Sequence, residues 1–178
     1  MSKASDAFQS SIGDAKALLA YFDGLPKSSP ADGEVLKRAG LIMALTAWET
    51  YVEDRILEEV TTRLKVIEGS YAGKFVHARL HEELRRLHNP TSDKVRRLYL
   101  EYLEYDVTAT WEWANYKSAD AKKTLDKLIS TRGDVVHRSN PPASGGPPAA
   151  HPVKRDDLDK AIRFLGGLVE ATERGLAS

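Results

Sequence analysis

Apolar residues recur at intervals of three and four along nearly the whole chain, and no sustained alternation of apolar and polar residues marks a half-buried strand. The pattern predicts an all-α protein. A first helix is expected from Ser5 to Phe22, with Phe8, Ile12, Ala15, Leu18, Leu19 and Phe22 on one side and Gly24-Leu25-Pro26 stopping it. Residues 27 to 33 read as a loop. A longer helix follows from about Asp32 to Glu68, and its apolar members, among them Val35, Ile42, Met43, Trp48, Tyr51, Ile56 and Val60, cover more than one stripe. Such breadth predicts a central helix buried on several sides.

Gly69 and Gly73 punctuate the next stretch, and His77 to His88 is predicted as a short helix ended by Asn89-Pro90. Ser92 is placed to cap a helix from Asp93 to about Tyr105. A less regular segment carries Asp106-Val107-Thr108 and the aromatics Trp111, Trp113 and Tyr116. Core packing is their expected role, with stacking of unpaired bases as the alternative. Ser118 is expected to cap a helix from Ala119 to about Thr131, leaving Arg132 at its end and Gly133 as a left-handed terminator. Residues 139 to 152 are too rich in Pro, Gly and small side chains to bury anything, which predicts a mobile loop. Asp156 and Asp157 suit the start of a last helix, where Leu158, Ile162, Leu165, Val169, Thr172 and Leu176 share the spacing of helix-packing positions. Gly166-Gly167 in its middle costs about 1 kcal/mol each relative to Ala when exposed, so close helix contact is expected there.

The length of 178 residues, with 42% hydrophobic and 29% charged, fits one domain with a real core. The chain has no cysteine, which excludes disulfides and thiolate metal sites and leaves nothing that requires an oxidising compartment. A cytoplasmic protein is the simplest expectation. Met1 to Ser11 lacks the order of a signal peptide, and no apolar run approaches the roughly 18 residues of a membrane helix. Lys and Arg balance Asp and Glu at 26 each, which argues against non-specific coating of nucleic acid. Locally the charge is uneven. Lys74 to Arg97 is mostly basic and includes His77, His81 and His88, whereas Glu49 to Glu59 is acidic. The ordinary reading of such a basic run is a solvated helix face.

No phosphate loop, dinucleotide fingerprint, His-Glu-x-x-His or Gly-x-Ser-x-Gly elbow is present. His77 and His81 are four apart, but a third convergent ligand is not evident, so neither a metal nor a cofactor is expected. What remains is Arg132-Gly133-Asp134-Val135-Val136-His137-Arg138. Arginine is always charged and forks onto phosphate, while histidine gives or takes a proton near neutrality. Taken alone, basic residues at a helix end complement its macrodipole.

The flanking sequence changes that balance. Leu45-Thr46-Ala47-Trp48-Glu49-Thr50-Tyr51-Val52-Glu53-Asp54, then Asn89-Pro90, then Asp106-Val107-Thr108 with Trp111 and Trp113, then Leu128-Ile129 leading into Arg132 to Arg138, resembles the HEPN superfamily. More narrowly it is similar to the RiboL-PSP-HEPN branch or an allied HEPN branch. The order of these pieces is far more specific than a lone Arg-x4-His. The resemblance covers residues 35 to 138 in motif and the whole chain in helical layout. It implies a HEPN-like helical bundle with additional short helices that forms a homodimer. In active members it further implies a metal-independent ribonuclease with the arginine and histidine at the dimer groove, here Arg132 and His137. Gly133 stands where many members carry Asn, Asp or His, and the nearest acid is Asp134.

Metal-free RNA cleavage needs a base for the 2′-OH proton, an acid for the departing 5′ oxygen and positive donors for the charge on phosphate. One arginine and one histidine do not easily supply all of these. A two-fold dimer duplicates whatever lies near its axis. In this reading His137 is the general acid/base, Arg132 holds the scissile phosphate, and Asp134 or Glu49 orients them. Arg138, with Arg85, Arg86, Arg96 and Arg97, guides the RNA backbone. The leading expectation is an endoribonuclease on single-stranded RNA, with the resemblance implying a toxin or defence effector and an antitoxin or regulatory protein as partner. The alternative is a non-catalytic dimerisation module that binds a partner protein, RNA or a nucleotide. Zero net charge favours the module, and the intact Arg-x4-His favours the enzyme.

Overall fold

The computed structural model describes residues 1–26, 30–114, 116–137 and 153–177. Six α-helices form among the described residues: α1 (Lys3–Asp23), α2 (Pro30–Leu64), α3 (Tyr71–Leu84), α4 (Ser92–Leu103), α5 (Ser118–His137) and α6 (Arg155–Ala177). Short 3₁₀ turns at Lys65–Ile67 and Val107–Thr110 complete the layout. The only strand-like pairing among them is an isolated bridge between Trp113 and Tyr116, so the chain is all-α as its periodicity predicts. No helix among the described residues is long and apolar enough to cross a membrane.

Local chemistry sets the helix ends. Ser2 caps α1 by accepting the Ser5 amide at 3.0 Å, and Glu58 of α2 accepts the free amides of Lys3 and Ala4 at 3.2 and 3.3 Å. Pro30 opens α2, where a fixed φ and a missing N–H do no harm, so the helix starts before the expected Asp32. α3 departs most from expectation. Ser70 caps it by accepting the Gly73 amide at 3.1 Å, so it starts well before His77 and ends at Leu84 rather than at His88. Gly73 is therefore no punctuation mark: a Cβ there would collide with the Ile67 carbonyl oxygen. Thr91, not Ser92, caps α4, because the Ser92 amide and hydroxyl both donate to Asp126 of α5 at 2.8 Å.

α2 is the central helix. α1 lies along it, α6 packs against both, and α3, α4 and α5 each touch it. The core joins Phe8 and Ile12 of α1, Leu45, Trp48, Tyr51 and Ile56 of α2, Leu98 and Tyr99 of α4, Leu125 of α5, and Leu158, Leu165 and Val169 of α6. Val35 and Met43, read as part of the α2 core, are exposed.

The aromatic segment serves packing. Trp111 is fully buried and donates its indole N–H to the Thr172 hydroxyl at 3.0 Å, while Trp113 stacks on Tyr116 at 4.8 Å and meets Phe164. The expected close contact at the paired glycines occurs only at Gly167, and against the Trp113 indole of the α4–α5 connection rather than another helix. Gly166 faces open space.

One polar cluster fastens three helices together. The Glu173 carboxylate of α6 accepts the Ser2 amide at 3.1 Å, the Ser2 hydroxyl at 2.8 Å, and the Tyr51 hydroxyl and Arg55 Nε at 2.9 Å each. Burial pushes this carboxyl up, but those donors outweigh it and hold Glu173 below the usual carboxylate range. The expected loop at 139–152 lies outside the described residues.

Candidate functional site

Glu49 sits midway along α2, next to the buried Trp48, whose indole N–H donates to the Pro90 carbonyl at 3.1 Å. That bond fixes the turn between α3 and α4. Within the turn Asn89 adopts φ 52°, a left-handed conformation that asparagine tolerates better than most residues, and Lys94 Nζ donates to the His88 carbonyl. The result is a convergence from three separated segments. Arg132 of α5 directs Nη1 to Glu49 Oε2 at 2.9 Å and to Asn89 Oδ1 at 2.7 Å.

The Arg132 and Glu49 side chains retain only 22% and 16% of their exposure, which removes this ion pair from the weak, solvent-screened class. Both contacts use Nη1. Among the described residues Nε and Nη2 of Arg132 make no hydrogen bond, so one edge of the guanidinium fork stays available. His88 Nδ1 stands 3.8 Å from Glu49 Oε1, within ion-pair reach but too far for a hydrogen bond.

α5 does not stop at Gly133. It continues to His137, and Gly133 is helical, with open space where a Cβ would stand. The terminator expected from the sequence is thus an interior helix position, because buried Val135 anchors one more turn. Five helical steps place backbone positions 132 and 137 about 140° apart around the axis and about 7.5 Å apart along it. Asp134 is partly buried on the same turn. The side chain of His137, and Arg138 as a whole, lie outside the described residues.

Beside this cluster a cleft of about 320 Å³ opens between α2 and α3, lined by Glu53, Asp54, Leu57, His81, Leu84, Arg85 and His88. Burial, with repulsion from Glu49 and Asp54, raises the Glu53 carboxyl, and His88 partly offsets the rise. A second cleft, of about 340 Å³, sets Arg79, Arg86, Lys94 and Arg97 against Glu82, Glu83 and Glu101. Arg96 pairs with Asp106 at 2.9 Å. The four arginines considered for an RNA path therefore divide: Arg85 in the first cleft, Arg86 and Arg97 in the second, Arg96 held by an acid. His77 and His81 gain no third ligand, since no group of three or more His, Asp or Glu among the described residues is arranged to hold a metal.

The structure brings Glu49 onto Arg132. It also adds two residues that sequence reasoning did not place at the site, Asn89 and His88. The signal was Asn89-Pro90, which reads as a helix stop, although asparagine also tolerates the left-handed backbone that Asn89 adopts.

The family RiboL-PSP-HEPN matches the chain over residues 10–178. No curated protein and no solved structure matches it.

Proposed function

The chain belongs to the RiboL-PSP-HEPN family, which supports an RNase-like or nucleotide-related role, and on that premise we propose that it is a metal-independent endoribonuclease acting on single-stranded RNA. The observation that carries this reading is the Arg132 guanidinium, held by Glu49 and Asn89 through Nη1 with its Nε/Nη2 edge left open. Such an edge is the one that forks onto a phosphate. Because the guanidinium is fixed before substrate arrives, it stabilises the charge building on phosphorus without reorganising.

His137 is the proton carrier in this proposal, and the working unit is a homodimer. The angular offset between positions 132 and 137 on α5 supports sharing across a two-fold axis, since one helix does not present both backbone positions on one face. One protomer's His137 takes the 2′-OH proton as that oxygen attacks phosphorus. The P–O5′ bond breaks, and the other protomer's His137 gives its proton to the leaving 5′ oxygen, leaving a 2′,3′-cyclic phosphate. Glu49 positions Arg132. Asp134 and Arg138 remain accessory candidates, and an antitoxin or regulatory protein is the partner this reading invites.

The test is incubation with RNA in EDTA, using wild type and the Arg132→Ala and His137→Ala variants matched for folding and for mass by gel filtration. Loss of cleavage by about 100-fold or more is expected in each variant. Unchanged cleavage in both sinks the site assignment. Absence of cleavage by a wild-type dimer across diverse RNAs transfers the reading to a non-catalytic binding module, which the balanced net charge favours.

A further inference from the structure

The cleft between α2 and α3 takes no part in the chemistry above, yet it opens directly beside it. His88 on its rim reaches Glu49 at 3.8 Å, and Glu49 in turn holds Arg132. The cleft and the Arg132 cluster are thus joined through His88 and Glu49. Its volume of about 320 Å³ is at the small end of ligand sites, which run from roughly 300 to 1,000 Å³.

Its lining is specific in character. Leu57 and Leu84 supply apolar surface suited to the faces of a flat ring, and Glu53 and Asp54 supply acceptors. Among the described residues neither carboxylate forms an ion pair or accepts a side-chain hydrogen bond, and the Arg85 guanidinium has no partner either. Glu49 and Asp54 of α2 both repel Glu53 across a partly buried surface. A ligand that brings N–H donors to Glu53 relieves a cost the protein alone leaves unmet.

We propose that this cleft is the base-binding subsite of the same site and that it selects guanine, with Glu53 accepting the ring N1–H and the exocyclic N2–H. Of the four RNA bases only guanine presents two adjacent donors, one from the ring and one from the amino group, to the two oxygens of one carboxylate. Adenine and cytosine set a ring nitrogen lone pair beside the amino group, and uracil flanks its single N–H with carbonyls. Each of these meets the carboxylate with repulsion. Arg85 supplies a donor for guanine O6, the usual partner of an arginine.

This subsite rests on Arg132 holding phosphate, so its test separates the two. The four nucleoside 3′-monophosphates are titrated calorimetrically into the full chain and into the Glu53→Gln and Arg132→Ala variants, with cleavage of RNA followed in parallel. Guanosine 3′-monophosphate is expected to bind at least about tenfold tighter than the other three, as one bidentate base contact provides. Glu53→Gln erases that preference, while Arg132→Ala weakens all four nucleotides alike. Equal binding of the four, or a preference that survives Glu53→Gln, overturns the subsite. Tighter binding of arginine amide than of any nucleotide also overturns it and assigns the cleft to a partner's cationic side chain. A guanine preference without RNA cleavage supports the subsite and overturns only the nuclease reading.

Discussion

Arg132 has one nitrogen, Nη1, engaged with its own protein and one edge open, and that division depends on two neighbours of different character. Glu49 supplies charge, and Asn89 supplies aim. Glu49→Ala leaves a mostly buried guanidinium without its counter-charge, and loss of a hydrogen bond to a charged group costs about 1.5–3 kcal/mol. RNA cleavage is expected to fall about 100-fold, because misplacing a catalytic group by an ångström costs that much. Asn89→Gly keeps a left-handed backbone available while removing Oδ1, so it should slow cleavage with less effect on thermal stability. Single-turnover kinetics beside thermal melts check both, and a Glu49→Ala variant cleaving at the wild-type rate contradicts the role given to Glu49. The meeting of Glu49 with Arg132 was legible in the sequence because charge in an ordered motif narrows the choices. His88 and Asn89 were not, because a backbone conformation with φ 52° leaves no mark on apolar periodicity.

At the scale of elements, sequence patterning located the six helices of the described residues but misjudged several ends. The reasons are physical. Gly133 is a sound terminator by propensity, yet one buried valine beyond it extends α5 by a turn, so tertiary packing overrides a local preference. The start of α3 was hidden because Gly73 looks like a breaker and is in fact a close contact. The paired glycines of α6 give a sharp prediction from the same distinction. Gly166→Ala fills open space and is expected to stabilise the fold by about 0.5–1 kcal/mol, raising Tm by about 1–4 °C. Gly167→Ala drives a methyl group into the Trp113 indole and is expected to destabilise by about 1–3 kcal/mol. Denaturant titration of the two variants should give midpoints on opposite sides of wild type.

For the whole molecule, α2 connects the core to the site, since its length carries both the central packing surface and Glu49, Glu53 and Asp54. The Glu173 cluster decides how that assembly responds to acid. Because the folded protein holds Glu173 below its ordinary value of 4.5, the stabilisation is complete above that pH and is lost as pH falls through the lowered folded value. Glu173→Gln should therefore lower Tm at neutral pH and flatten the loss of stability on acidification below about 4.5. Melting curves recorded from neutral to strongly acidic pH test this, and parallel curves for variant and wild type contradict it.

The Trp48 indole joins the buried core to the Pro90 carbonyl, one residue from Glu49 on its own helix and one from Asn89 across the turn. Trp48 is thereby placed, among three tryptophans, as the chromophore nearest the site. Nucleotide binding at Arg132 is expected to disturb that turn, and with it the hydrogen bond that sets the polarity around the Trp48 chromophore. With Trp111 and Trp113 replaced by Phe, a shift of the remaining Trp48 emission on adding nucleotide is the expected optical sign of occupancy at Arg132.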